Sequence, residues 1–212
     1  MSLNFIFNAK LKLSNKSKST EGMTRMILHG AIPFAHELLQ KTVSKGATVV
    51  DATCGNGNDT LFLSEAVGEQ GHVYAFDIQW QAIETTSTLL KEHKRENVTL
   101  IHDSHANVDQ YIKEEQSLDA AVFNLGYLPR SDKKIITKPD STIAALEKLL
   151  NLLKQGGLIV LVVYAGHPGG EEEKEAVLQF ASSLDQKHYL SITYKYINMI
   201  NNPPFVIAIE KK

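Results

Sequence analysis

Apolar residues along this chain fall into short β-branched runs that alternate with longer amphipathic stretches, after a polar beginning. Residues 1 to about 24 are Ser-, Lys- and Asn-rich and lack sustained periodicity, so they read as a disordered tail or as sequence added to the natural protein. Met23 and Met26 are candidate natural starts. A helix is predicted from Pro33 to Val43, with Phe34, Leu38 and Leu39 on one face. From there strand and helix signals alternate. The strands are Thr48–Thr53, His72–Asp77, Val98–His102, Leu118–Asn124 and Leu158–Tyr164. The intervening helices are 58–67, 79–94, a short one over 108–113, and 141–154, the last stopped by Gly156 and Gly157. A helix over 171–183 begins with Glu171, Glu172 and Glu173, which are read as a solvated face that complements the helix dipole. Two last strands, Leu190–Asn198 and Phe205–Glu210, flank Asn201-Asn202-Pro203-Pro204 and predict a closing hairpin, so one of them runs antiparallel. Residues 25–212 thus read as a single Rossmann-like α/β domain, a seven-stranded mostly parallel sheet with helices on both faces.

The first strand carries the most chemistry. It ends at Asp51 and turns through Thr53-Cys54-Gly55-Asn56-Gly57-Asn58-Asp59-Thr60 into a helix. Glycines in such a turn tolerate positive φ and let a ligand approach the backbone. The third glycine of the dinucleotide fingerprint is absent, which disfavours a nicotinamide dehydrogenase. Asp77, about twenty residues beyond the glycines, is placed to accept both ribose hydroxyls of an adenosine, with Ile78 and Gln79 beside it. An acid ahead of the loop suits a cationic amino group better than a pyrophosphate. This pattern resembles the S-adenosylmethionine (SAM) site of class I methyltransferases.

Each remaining strand also ends in polar residues, where an open α/β sheet binds its ligands. The third offers Asp103, Ser104 and His105, suited to an adenine amino group. The fourth gives Asn124-Leu125-Gly126-Tyr127, in the place of the Asn/Asp-Pro-Pro-Tyr loop of amino-group methyltransferases. Leu125 and Gly126 stand where that loop has two prolines, which argues against an adenine-N6 acceptor. The fifth gives Tyr164 and, in a Gly-rich loop, His167. Arg130, Lys133, Lys134 and Lys138 form a basic loop suited to phosphates or to solvent. His29, His36, His93, His102 and His188 show no ligand spacing and are given no role.

Charge and cysteine usage narrow the classes. The formal net charge is −2, of which residues 1–22 contribute +3, leaving about −5 for the rest. Broad nonspecific nucleic-acid binding is therefore disfavoured, while a local contact with a small RNA is permitted. The single cysteine, Cys54, excludes an internal disulfide and a multi-cysteine zinc site, and it reads as a small residue in a tight turn. No metal is expected. No run is long enough to span a membrane and no secretory leader is visible, so a cytoplasmic protein is expected. A hairpin at the sheet edge admits a homodimer.

The strand-end segments Asp51–Thr60, Ala75–Gln79, Asp103–His105, Asn124–Lys133 and Tyr164–Gly170 together resemble the YtqB-like rRNA methylase family, whose studied members are tRNA methyltransferases of the MnmM type. The likeness runs from about Met26 to the last residue. It implies methylation of the amino nitrogen of 5-aminomethyl-2-thiouridine at the anticodon wobble position. It further implies that Asp51, Thr53, Gly55, Asn56, Gly57, Asn58, Asp59, Thr60, Asp77, Ile78, Gln79, Asp103, Ser104 and His105 lie around SAM. Asn124, Tyr127 and His167 would face the acceptor, with Arg130, Lys133 and Tyr164 on the RNA. An rRNA or small-molecule N-methyltransferase, or a SAM-binding sensor without activity, are the alternatives.

Overall fold

The computed structural model describes residues 27–113, 117–128 and 135–212. Its elements are α1 (Ala31–Thr42), β1 (Thr48–Asp51), α2 (Asn58–Val67), β2 (His72–Asp77), α3 (Trp80–Glu92) and β3 (Val98–His102). A 3₁₀ helix (His105–Gln110) follows, then β4 (Leu118–Leu125), α4 (Pro139–Leu152), β5 (Leu153–Val163), α5 (Gly170–Ser183), β6 (Tyr189–Tyr194) and β7 (Phe205–Lys211). The seven strands form one sheet in the order β3-β2-β1-β4-β5-β7-β6. All neighbouring pairs are parallel except those made by β7, which runs antiparallel to both β5 and β6.

β4 shows why the sheet is covered on both sides. Its residues are buried almost without a break, as a central parallel strand requires. Ala120 and Val122 point into one core with Leu39, Leu63 and Val160, supplied by α1, α2 and β5. Ala121, Phe123 and Leu125 point into the other, with Leu146, Leu149 and Val177 from α4 and α5. That two-residue alternation makes a three-layer sandwich.

Several boundaries differ from the sequence reading, four of them for identifiable physical reasons. Gly156 and Gly157 do not stop α4, whose last residue is Leu152. Leu153 is already extended (φ −68°, ψ 129°) and pairs with Leu118, whereas Ala120 pairs with Leu158. Residues 154–157 therefore bulge out of β5, and Gly156 supplies the positive φ (76°) that the bulge needs. The short helix predicted over 108–113 is instead the 3₁₀ turn at 105–110, started by the Ser104 side chain, which accepts from the Ala106 N–H at 3.2 Å. α1 begins two residues before Pro33, so the proline still sits in the first turn, where its missing N–H costs nothing. β6 ends at Tyr194, four residues short of Asn198, because the hydroxyls of Tyr194 and Tyr196 donate to the His29 carbonyl and hold the following chain against the entry to α1.

Strand order reverses between β1 and β4. Ligands of open α/β sheets bind at such a point, beyond the carboxyl ends of the strands.

Candidate active site

A cleft of about 900 Å³ opens at this switch point. Its floor is the β1–α2 turn. Gly55 and Gly57 both take positive φ, 52° and 84°. The Gly55 N–H donates to Asp77 Oδ2 at 3.0 Å and the Gln79 N–H to Asp77 Oδ1 at 2.9 Å, so one carboxylate ties the glycine turn to the end of β2. Thr86 on α3 closes the turn from behind by donating to the Gly55 carbonyl at 3.1 Å. Cys54 is buried in this turn, and burial followed by the charges of Asp51 and Asp77 pushes its thiol far above the usual range, which keeps it inert.

Most of the expected site residues meet here. Thr53, Gly55, Asn56, Asn58, Asp59, Asp77, Ile78, Gln79, Asp103, Ser104, His105, Asn124, Tyr127 and Tyr164 all line the cleft. Three expected cofactor contacts do not. Asp51 and Thr60 are fully buried beneath the turn, with Thr60 Oγ1 donating to Asp51 Oδ2 at 2.6 Å and the Thr53 N–H to Asp51 Oδ1 at 3.1 Å. The Asp51 carboxylate is thus turned inward to brace the loop. Gly57 faces Thr86. His167 stands at the edge of the cleft, its ring edge-on to Tyr127 with centroids 5.7 Å apart. Arg130 and Lys133, together with Lys134, lie outside the described residues; Lys138 lines the cleft.

The fourth-strand loop is held from two sides. The Asn124 N–H donates to Thr53 Oγ1 at 2.7 Å, and its Nδ2 donates to Asp59 Oδ2 at 2.5 Å. The Thr137 N–H donates to the Gly126 carbonyl at 2.9 Å, and the Thr137 hydroxyl accepts from the Gly126 N–H at 2.9 Å and donates to Glu173. Glu173 also accepts from Thr142 Oγ1 at 2.7 Å. This corrects the reading of the acidic helix start as a solvated face. Glu173 is 1% exposed and burial raises its pKa, while Glu171 and Glu172 are exposed as expected. Its four-residue spacing to Val177 and Ala181, both buried, was the available signal.

His36 is a second residue whose role the spacing did not reveal. It reaches the cleft from α1, its Nε2 lies 2.6 Å from Asp59 Oδ1, and its ring stacks on Phe62 at 3.9 Å.

Burial shapes the charge state of the groups at and beneath the floor of the cleft. Burial, then the charges of Asp59 and Asp77, push Asp51 up to about 7. Burial likewise raises Asp77, against the N–H groups of Gln79 and Gly55. Burial lowers His105, whose Nδ1 donates to the Ala52 carbonyl at 3.0 Å in the neutral ring. That tautomer leaves Nε2 as an acceptor. Among the described residues, three buried side-chain polar atoms lack a partner: His105 Nε2, Asn124 Oδ1 and His167 Nε2. All three belong to residues expected to touch cofactor or acceptor. Buried acceptors of this kind are costly unless a ligand satisfies them.

A pH experiment tests the buried carboxyl. Because its folded pKa lies above the ordinary 3.8, Asp51 contributes stability that is full below 3.8 and is lost as pH rises through about 7. Urea denaturation of the ligand-free protein should therefore show stability falling over this window. Asp51→Asn should flatten the fall; parallel curves for the two proteins would disprove the assignment.

Among the described residues no helix is long and apolar enough to cross a membrane, and no three His, Cys, Asp or Glu side chains are grouped to hold a metal. The model of the rRNA methylase family matches residues 73–210. A chloroplastic tRNA (mnm5s2U34)-methyltransferase of Arabidopsis thaliana is 41% identical over 191 residues, 86% of this chain and 70% of the relative. A solved Clostridium thermocellum structure described as an rRNA methylase superposes with a TM-score of 0.86 at 45% identity, covering 88% of this chain and 100% of that one. A Streptococcus mutans protein designated a methyltransferase, solved in complex with S-adenosylhomocysteine (SAH), gives 0.81 at 41% identity with the same coverage. With residues 73–210 matched by the family model and 88% of the chain covered by the Clostridium thermocellum structure at 45% identity, this chain belongs to the rRNA methylase family.

Proposed function

We propose that this protein is a SAM-dependent methyltransferase that acts on tRNA. It converts the aminomethyl group of 5-aminomethyl-2-thiouridine at the wobble position to methylaminomethyl. The observation that carries the substrate is the extended similarity to the Arabidopsis enzyme, whose name carries the methylaminomethyl product at position 34. The reading is supported by the Asp59 and Asp77 carboxylates lining the cleft and by the three unsatisfied acceptors in it and at its edge. Residues 25–212 act as one methyltransferase domain, with residues 1–24 outside it, and the reaction is placed in the cytoplasm.

The residues fit SAM. Asp77 takes the ribose hydroxyls with the lone pairs that Gly55 and Gln79 leave free. Ile78 and Ser104 flank the adenine, and His105 Nε2 accepts from its amino group. Thr53, Gly55, Asn56 and the start of α2 at Asn58 receive the methionine end, and the Asp77 carboxylate favours its cationic groups.

Bound SAM supplies a methyl group that its sulfonium already activates. The chain's own task is then alignment of an attacking nitrogen on that carbon. Asn124 Oδ1 accepts an N–H of the acceptor and fixes its approach. Tyr127, 39% exposed at the cleft mouth, offers its ring to a base, as single-stranded RNA recognition commonly uses. His167 Nε2 accepts a second polar hydrogen from the nucleotide. Lys138, with Arg130 and Lys133 of the same loop, meets the backbone phosphates.

Incubation with labelled SAM and bulk tRNA lacking wobble methylation, followed by nucleoside mass analysis, tests the assignment. The expected product is the aminomethyl-thiouridine heavier by one methyl. Label in ribosomal RNA and none in tRNA would refute it.

A further inference from the structure

We propose that Asp59 is the group that takes the proton from the acceptor amine, with His36 and Asn124 fixing its two carboxylate oxygens. The inference rests on the aminomethyl-tRNA reading above and adds to it the proton acceptor and the part played by α1. An alkylamine carries a proton at neutral pH, its pKa being about 10, and the ammonium has no lone pair for attack. Something in the cleft must receive that proton.

Asp59 stands where the acceptor must be. It lies in the first turn of α2, lines the cleft, and its side chain is 11% exposed. Asn124, whose free carbonyl oxygen is the most direct contact for the acceptor nitrogen, is bonded to Asp59 Oδ2 at 2.5 Å. The nitrogen that meets Asn124 Oδ1 is thereby brought alongside the carboxylate. The other oxygen is fixed from a different element, by His36 Nε2 at 2.6 Å. Phe62 holds the His36 ring in turn, stacked at 3.9 Å with a 4° tilt. Each oxygen keeps a second lone pair for a proton. Among the described residues, the titratable groups facing Asp59 are His36 from α1, Asp51 at the end of β1, and Tyr164 beyond β5; Lys138 and Asp77 share the cleft.

The step balances. The ammonium gives one proton to the Asp59 carboxylate, leaving a neutral amine and a carboxylic acid. The freed lone pair forms the N–C bond to the methyl carbon, the C–S bond breaks with its electrons going to sulfur, and the product is a methylated ammonium. His36 acts through Asp59 and is a positioning residue.

The test is the pH dependence of single-turnover methyl transfer to aminomethyl-tRNA, with SAH affinity measured by calorimetry on each variant. Asp59→Asn keeps the shape and removes the proton acceptor. Its rate should fall about 100-fold at pH 7. The deficit should narrow with rising pH, as more of the amine arrives already neutral. His36→Gln retains a donor to Asp59 and should fall less, in the rate at saturating tRNA and not in KM, with the same narrowing. Unchanged SAH affinity in both variants is expected. An Asp59→Asn deficit equal at every pH, or a wild-type rate at pH 7, would overturn the proposal. So would loss of SAH binding, which would assign Asp59 to the cofactor. A wild-type protein that binds SAH yet never methylates aminomethyl-tRNA would instead overturn the substrate reading, and this proposal with it.

Discussion

Replacing Asn124 by alanine should lower single-turnover methyl transfer by about 100-fold or more while leaving SAH affinity near wild type. The side chain performs two tasks at once. Its carbonyl oxygen is a buried acceptor that no described residue satisfies, and its amide nitrogen grips Asp59. Alanine removes both, so the nitrogen loses its approach angle and the carboxylate loses one of its two fixed points. Misalignment of about 1 Å at a reacting atom is enough for a loss of this size. The fold should tolerate the change, because the backbone bond from the Asn124 N–H to Thr53 Oγ1 does not depend on the side chain. Rapid-quench measurement at saturating SAM and tRNA checks it. A rate within a few-fold of wild type would remove Asn124 from the acceptor site.

The second large effect concerns stability. Gly57→Ala should cost about 2–5 kcal/mol, the sum of about 1–2 for a side chain in the left-handed region and about 1–3 for overpacking. At Gly57 φ is 84°, and an added Cβ would meet Thr86 Oγ1 at 2.9 Å, Cγ2 at 3.0 Å and Cα at 3.1 Å. The last of these is backbone and cannot swing aside. Displacing Thr86 also breaks its bond to the Gly55 carbonyl, so SAH affinity should fall along with the urea midpoint. Gly46 supplies the control. Its φ is 86°, and no described residue lies within 4 Å of an added Cβ. Gly46→Ala should therefore cost about 1–2 kcal/mol, the conformational part alone. Equal losses at the two positions would show that the clash with Thr86 plays no part.

Much of the architecture could be read from alternation and punctuation. α2, β2 and β3 fall on their predicted bounds because glycines or strand-end acids bracket clear periodic runs. The cleft was legible for a topological reason: parallel strands all end on the same side, so residues at strand ends converge without any knowledge of side-chain packing. What could not be read was the direction in which a side chain turns. Asp51 sits at a strand end like Asp77, yet Asp51 braces the loop from below while Asp77 faces the cleft. Glu173 resembles its exposed neighbours in composition and differs in which face of α5 it occupies. His36 has no partner near it in sequence, because Asp59 lies 23 residues away. Gly156 and Gly157 satisfy a helix stop and a bulge equally well, and the pairing of Leu153 with Leu118 decides between them.

The position of β7 has a consequence for how the protein is made. This strand follows all the others in sequence yet lies inside the sheet, between β5 and β6. While the nascent chain on the ribosome stops short of Phe205, one edge of β5 is open along Leu158–Val163, a continuous apolar run, and β6 has no strand to pair with. An uncovered apolar edge is a template for pairing with another chain. Synthesis must therefore pass Lys211 before that edge is sealed, and β7 is what separates a foldable chain from an aggregation-prone one.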